Sequence, residues 1–185
     1  MDKTPHTKTS VFQALEESFQ LVAESCKSLP QEALHCSIEG KWSIAEQVDH
    51  LIKSGQPVLK GMHLPKEQLL AIFGRMDRSP YSFLELKAFY LKTLKENAIK
   101  APPKFQPNIE NGIKSTDLLA KWEALSAQFQ VVAEVWTEED LDQYAMAHPI
   151  LGLLSVKEML FFTIFHNAHH LLQIETIKET FLPQT

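Results

Sequence analysis

The chain has little of what marks a nucleic-acid binder, a membrane protein or a disulfide scaffold. Its 18 Lys and Arg stand against 23 Asp and Glu, giving a net charge of −5. No Lys/Arg-rich block occurs, so the basic stripe that phosphate recognition needs is missing and no nucleic-acid partner is expected. The longest strongly apolar run, MLFFTIF from Met159 to Phe165, is far shorter than the roughly 20 residues that span a bilayer, so no membrane role is expected. The opening MDKTPHTKTS is polar and holds no apolar secretory core, which makes cytoplasmic residence the expectation. Cysteine is scarce. Cys26 and Cys36 stand ten positions apart, fit no CxxC metal or redox spacing, and read as free, reduced thiols. Strand-type alternation and internal repeats are missing too.

What is present is helical patterning on one domain's worth of chain. A length of 185 residues, 44% hydrophobic and 22% charged, suits a single globular domain with a sizeable core. Residues 1–9 read as a flexible N-terminal tail and residues 10–182 as the domain. From Ser10, apolar residues Val11, Phe12, Leu15, Phe19, Val22 and Cys26 recur at helical spacing, and the helix should end before Pro30. Ser43 with Glu46 forms a capping box that opens a second helix, which Pro57 should kink or end about a turn early. PKEQLLAIF predicts a short helix and GRMDRSP a turn. Phe83, Leu86, Phe89, Tyr90, Leu94 and Ile99 form the stripe of another helix. KAPPKFQPNIENG, with three prolines, predicts a loop. Leu118, Leu119, Trp122, Leu125, Phe129, Val132 and Trp136 mark a further long helix. TEEDLDQYAMAHPILGLLS reads as mostly loop. Ser155 and Glu158 then make a second capping box before the final helix. The sum is an all-α chain, a four-helix bundle with additional short helices.

That final helix raises the functional question. FFTIFHNAHHLLQI is the most apolar stretch, yet it carries three of the eight histidines. His166 and His170 are spaced i and i+4, so they share one face a turn apart, while His169 is rotated away. Two imidazoles so placed can share one metal ion, but they leave its shell incomplete. His50, in the half-buried second helix, is the natural third donor from a facing helix. Buried histidines also serve as core residues bonded to carbonyls, and spacing leaves both readings open. Asn167 stands where an H-E-x-x-H protease would carry its glutamate, which argues against peptidase chemistry by that route.

The stretches GKWSIAEQVDHL and HPILGLLSVKEMLFFTIFHNAHHLLQI together resemble the DinB/YfiT-like superfamily, in helix order and lengths as well as in these residues. The resemblance implies a four-helix bundle, often a homodimer, that binds a divalent metal such as Ni²⁺ or Zn²⁺ through three histidines. Matched residue by residue, His50, His166 and His170 are those ligands. Several members of the family are thiol-dependent transferases using a low-molecular-weight thiol of their host.

Three neutral imidazoles would leave the ion's charge uncompensated, a strong Lewis acid able to activate water for hydrolysis or a thiol for transfer. No acid/base pair stands out in the sequence. Gln173, a turn beyond His170, and His148, in HPILG just before the last helix, are candidates for contacts to the ligands or the substrate; for His148, bonding to local backbone is the competing reading. Asp49 adjoins His50 but points about 100° around the helix and reads as solvated. Trp42, Trp122 and Trp136 read as packing. The expectation is a metal-dependent enzyme, a small-thiol-dependent transferase or hydrolase acting on a small electrophile. The competing expectation is a non-catalytic binding or stress-associated protein with a vestigial site.

Overall fold

The computed structural model describes residues 4–97, 101–109 and 113–181. Four long helices carry the molecule: α1 (Lys8–Lys27), α2 (Ile44–His63), α5 (Ser115–Ala133) and α7 (Val156–Phe181). Each packs on two others, α1 on α5 and α7, and α2 on the same pair, which closes a four-helix bundle. Three shorter helices, α3 (Lys66–Phe73), α4 (Phe83–Asn97) and α6 (Glu138–Gln143), lie among the connections, and α4 rests on α7.

Local chemistry sets the helix starts. Ser43 and Glu46 exchange side-chain bonds with each other's backbone N–H at the head of α2, and Ser155 and Glu158 do so at the head of α7. A third box, Thr7 with Ser10, starts α1 at Lys8, inside the stretch read as tail. The buried faces then follow the expected periodicity, with Trp122 and Trp136 fully enclosed and their indole N–H groups donating to Phe19 O and Met62 O.

Two expectations are corrected. Of the two effects expected of Pro57, a kink or an early end, the early end does not occur: α2 runs on through it to His63. Residues on both sides of it, Leu51 and Ile52 before and Val58, Leu59 and Met62 after, are buried in one core. Burying each such side chain is worth about 1.5–3 kcal/mol, which together exceeds the roughly 3 kcal/mol a proline costs inside a helix. Close approach helps, since a Cβ on Gly55 would sit 2.9 Å from Leu125 Cδ2 of α5.

The segment read as mostly loop is the second correction. Thr137 and Asp140 form a fourth capping box and start α6. A hairpin follows, β1 (Ala145–His148) against β2 (Gly152–Ser155), in antiparallel register from Ala145↔Ser155 to His148↔Gly152. Gly152 takes φ 77°, the left-handed turn conformation that glycine allows. Four-residue strands are too short for alternation to be read, and Ala145, Met146, Leu154 and Ser155 are buried by the bundle rather than by a sheet. On α4, Phe89 is exposed and Leu86 and Tyr90 carry the contact; Ile99 lies outside the described residues.

Candidate metal centre

The middle of α2 faces the middle of α7, and there the three histidines meet. His50 Nε2 lies 3.2 Å from His166 Nε2, and His170 Nε2 lies 3.1 Å from the same atom. All three residues are buried, and each offers one ligand atom within 4.8 Å of the others. Metal–nitrogen bonds of about 2.0–2.1 Å place neighbouring donors about 3.3 Å apart in a tetrahedron and about 2.9 Å apart at right angles. Both separations from His166 Nε2 fall between these values.

The opposite ring nitrogens are tied down. His50 Nδ1 donates to Phe105 O at 2.7 Å, a backbone carbonyl in the 3-10 turn Pro103–Phe105. His170 Nδ1 donates to Gln47 Oε1. A carbonyl only accepts, so the proton of each neutral ring sits on Nδ1 and each Nε2 carries a lone pair aimed at the centre. One N–H on His166 Nε2 could satisfy only one of those lone pairs well. A cation at the centre satisfies all three, so the donor set fits a divalent ion.

Electrostatics agree with this assignment. Burial lowers the pKa of His50, against a raising contribution from the bond to Phe105. His166 is held well below 6.5, first by burial and then by His170 and His50. His170 is held down by burial and then by His50. Three such rings stay neutral near pH 7, the form that ligates metals.

Polar and aromatic neighbours brace the cluster. Gln47, 1% exposed, donates from Nε2 to Gln173 Oε1 at 3.0 Å and to Trp42 O at 3.4 Å. Gln173 therefore sits one bond behind Gln47, and its own Nε2 lies 2.8 Å from His169 Nε2. The ring of Trp42 stands 4.7 Å from His50 and stacks 6.1 Å from His170, while Phe162 stacks on His166 at 4.8 Å. Asp49 makes no hydrogen bond to His50, although its charge acts to raise the pKa of that ring. It pairs with Lys53 at 2.7 Å and accepts from Asn108 N at 2.9 Å, pinning the segment that supplies Phe105 O.

The cluster opens onto a cavity of about 390 Å³, within the usual size range of small-molecule sites. Its wall is chiefly apolar, with Trp42, Tyr90, Phe105, Met159 and Phe162 among the lining residues. His148 and Gln173, both singled out from the sequence, line it as well. Sequence reasoning missed Gln47, Trp42 and Phe105. Gln47 left a usable signal, a polar residue three before His50 on the buried stripe of α2. Phe105 left none, because its contribution is a main-chain oxygen.

Comparison with known proteins places the chain in a family. The model of the DinB superfamily matches residues 14–174. The chain belongs to the DinB superfamily. The uncharacterized protein YuaE of Bacillus subtilis (strain 168) is 27% identical over 139 residues, covering 75% of this chain and 78% of that protein. Among solved structures, YfiT from Bacillus subtilis superposes with a TM-score of 0.61 at 16% identity, over 94% of this chain and 86% of that one. YfiT is described as a probable metal-dependent hydrolase with an unusual four-helix bundle topology. An uncharacterised protein from Escherichia coli UTI89 gives a TM-score of 0.59 at 13% identity, over 100% of both chains. The colibactin self-resistance protein ClbS, solved in complex with a dsDNA, gives 0.57 at 17% identity, over 95% of this chain and 97% of that one. At these identities the likeness establishes a shared YfiT-like four-helix bundle. Among the described residues, no helix is long and apolar enough to cross a membrane.

Proposed function

We propose that this DinB superfamily member is a metal-dependent enzyme in which His50, His166 and His170 hold a divalent ion, zinc or nickel. Its task is to activate a small nucleophile, a thiol or water, against a small electrophile bound in the adjoining cavity. The observation that carries the reading is the convergence of three buried histidines, all of which line one mostly apolar cavity. When bound, a divalent ion supplies Lewis acidity and makes a water or thiol a stronger acid. The chain's own residues do the rest. Phe105 O and Gln47 Oε1 hold two lone pairs inward and fix the ring planes. The aromatic wall surrounds the centre with apolar surface, which strengthens its electrostatics. A thiol nucleophile would make the protein a small-thiol-dependent transferase, and water a hydrolase, the class named for YfiT.

One observation favours a second reading, a non-catalytic binding protein. Among the described residues that line the cavity there is no Asp or Glu to act as general base. Metal analysis of untagged protein, with His50→Ala, His166→Ala and His170→Ala alongside, tests the centre. Near-stoichiometric zinc or nickel, lost in each variant, is expected; unchanged uptake in all three overturns it. Consumption of low-molecular-weight thiols with electrophiles, and hydrolysis of small esters, then separates the two readings. Turnover abolished by chelation identifies the enzyme, and full metal loading without turnover identifies the binder.

A further inference from the structure

Two polar atoms on the cavity wall, His148 Nε2 and the Tyr90 hydroxyl, have no hydrogen-bond partner among the described residues, and they indicate what a substrate must offer. His148 closes β1 at the hairpin turn. Its Nδ1 accepts from Ile150 N at 3.2 Å and Leu151 N at 3.1 Å. A ring nitrogen that accepts two backbone N–H groups is the unprotonated one, so the proton of the neutral ring lies on Nε2. His148 is only 5% exposed, yet among the described residues none bonds its Nε2. Among the described residues, every side-chain nitrogen or oxygen fully shielded from solvent does have a partner. The Nε2–H therefore keeps some accessible surface, and the cavity of the three-histidine centre is the space that His148 lines.

Tyr90 repeats the pattern from the neighbouring helix α4. It is 8% exposed and lines the same cavity, and its hydroxyl bonds to none of the described groups. The rings of Tyr90 and His148 meet edge-on at 6.4 Å, and both pack against Phe162, which stacks on His166. The donors are thus one aromatic ring away from a candidate ligand. Burial holds His148 down to about 4 and pushes the Tyr90 hydroxyl up to about 12. At neutral pH both groups are uncharged donors, which suits stabilising charge on an oxygen and not shuttling a proton.

We infer that the Nε2–H of His148, seconded by the Tyr90 hydroxyl, donates a hydrogen bond to an acceptor oxygen of the electrophile bound beside the three-histidine centre. The substrate class is then a small, largely apolar molecule bearing a carbonyl-type oxygen. This deepens the proposed function and rests on it for the word electrophile, but the donor itself is a property of the metal-free fold.

The test has two arms. In the first, metal-free protein with ¹⁵N-labelled histidine is studied by long-range ¹H–¹⁵N correlation at pH 7. His148, assigned by its loss in His148→Phe, is expected to show a protonated Nε2 and a bare Nδ1. A protonated Nδ1 or a doubly protonated ring overturns the inference. In the second arm, benzohydroxamate, an aromatic carbonyl probe, is titrated into the zinc-loaded and the metal-free protein. His148→Phe should weaken it about tenfold in both forms, while His148→Gln, which keeps an N–H near the same place, stays within about threefold. Equal affinity of wild type and His148→Phe overturns the inference. Failure to load either zinc or nickel sinks the proposed function instead, and the metal-free titration still decides the donor.

Discussion

Gln47 is where the argument about the metal centre is most exposed to experiment. In Gln47→Leu a side chain of similar volume replaces one that is 1% exposed, so packing survives while the acceptor for His170 Nδ1–H disappears. The His170 ring then keeps a buried, unsatisfied N–H, at about 1–3 kcal/mol, or moves its proton to Nε2. The second course is favoured in the metal-free protein, because Nε2–H can donate to His166 Nε2, 3.1 Å away. That tautomer has no lone pair for a cation. Metal binding must reverse the shift, and losing such an orienting partner typically costs 10- to 100-fold in affinity, about 1.4–2.7 kcal/mol. Zinc affinity measured by competition with a chromophoric chelator should fall by that factor. Gln47→Glu should recover part of it, since a carboxylate accepts well from His170 but faces Gln173 Oε1 and Trp42 O, to which Gln47 now donates. Zinc affinity within twofold of wild type in Gln47→Leu would refute the reasoning.

Three further outcomes follow from other parts of the molecule. Burial lowers the folded pKa of His148 from 6.5 to about 4, so below pH 6.5 the unfolded chain takes up a proton first and stability falls until about pH 4. Between pH 7 and 5 this amounts to about 2 kcal/mol; urea unfolding of His148→Gln should show a pH dependence smaller by that amount, and an identical dependence counts against the assignment. Cys26 is 1% exposed with its thiol pushed up to about 12 by burial, so iodoacetamide at pH 8 should alkylate Cys36 alone, and mass spectrometry of a doubly modified native protein would contradict this. Glu158, whose side chain is 0% exposed, takes two bonds from Arg78 as well as those of Tyr81 N and Ser155 N. Arg78→Ala strands that carboxylate at the head of α7 and should lower stability by about 3 kcal/mol in denaturant titration; a change under about 1 kcal/mol would show that solvent replaces the arginine.

The residues that signal helix ends and faces act over one turn of chain, which is why they were legible. Ser43 with Glu46 and Ser155 with Glu158 cap α2 and α7 through bonds between residues three apart, and the spacing of His166 and His170 puts them on one face by helix geometry alone. The two segments GKWSIAEQVDHL and HPILGLLSVKEMLFFTIFHNAHHLLQI carried the family resemblance, which the match over residues 14–174 established. Pro57 and the hairpin went the other way, since local preference yielded there to burial against distant helices.

The amino-acid order alone therefore determined an all-α chain, the starts of α2 and α7, and a pair of histidines on one helix face. Tertiary structure decided that His50, 116 residues before His166, arrives within bonding range of it, because no local rule relates residues on two helices until those helices pack. It also decided which carbonyl turns His50, which amide turns His170, and that His148, its Nδ1 taken by Ile150 N and Leu151 N, lines the same cavity. Those are contacts of backbone oxygens and side-chain tips across the fold. Their geometry exists only once hydrophobic burial has brought α2, α7, the hairpin and the 3-10 turn together.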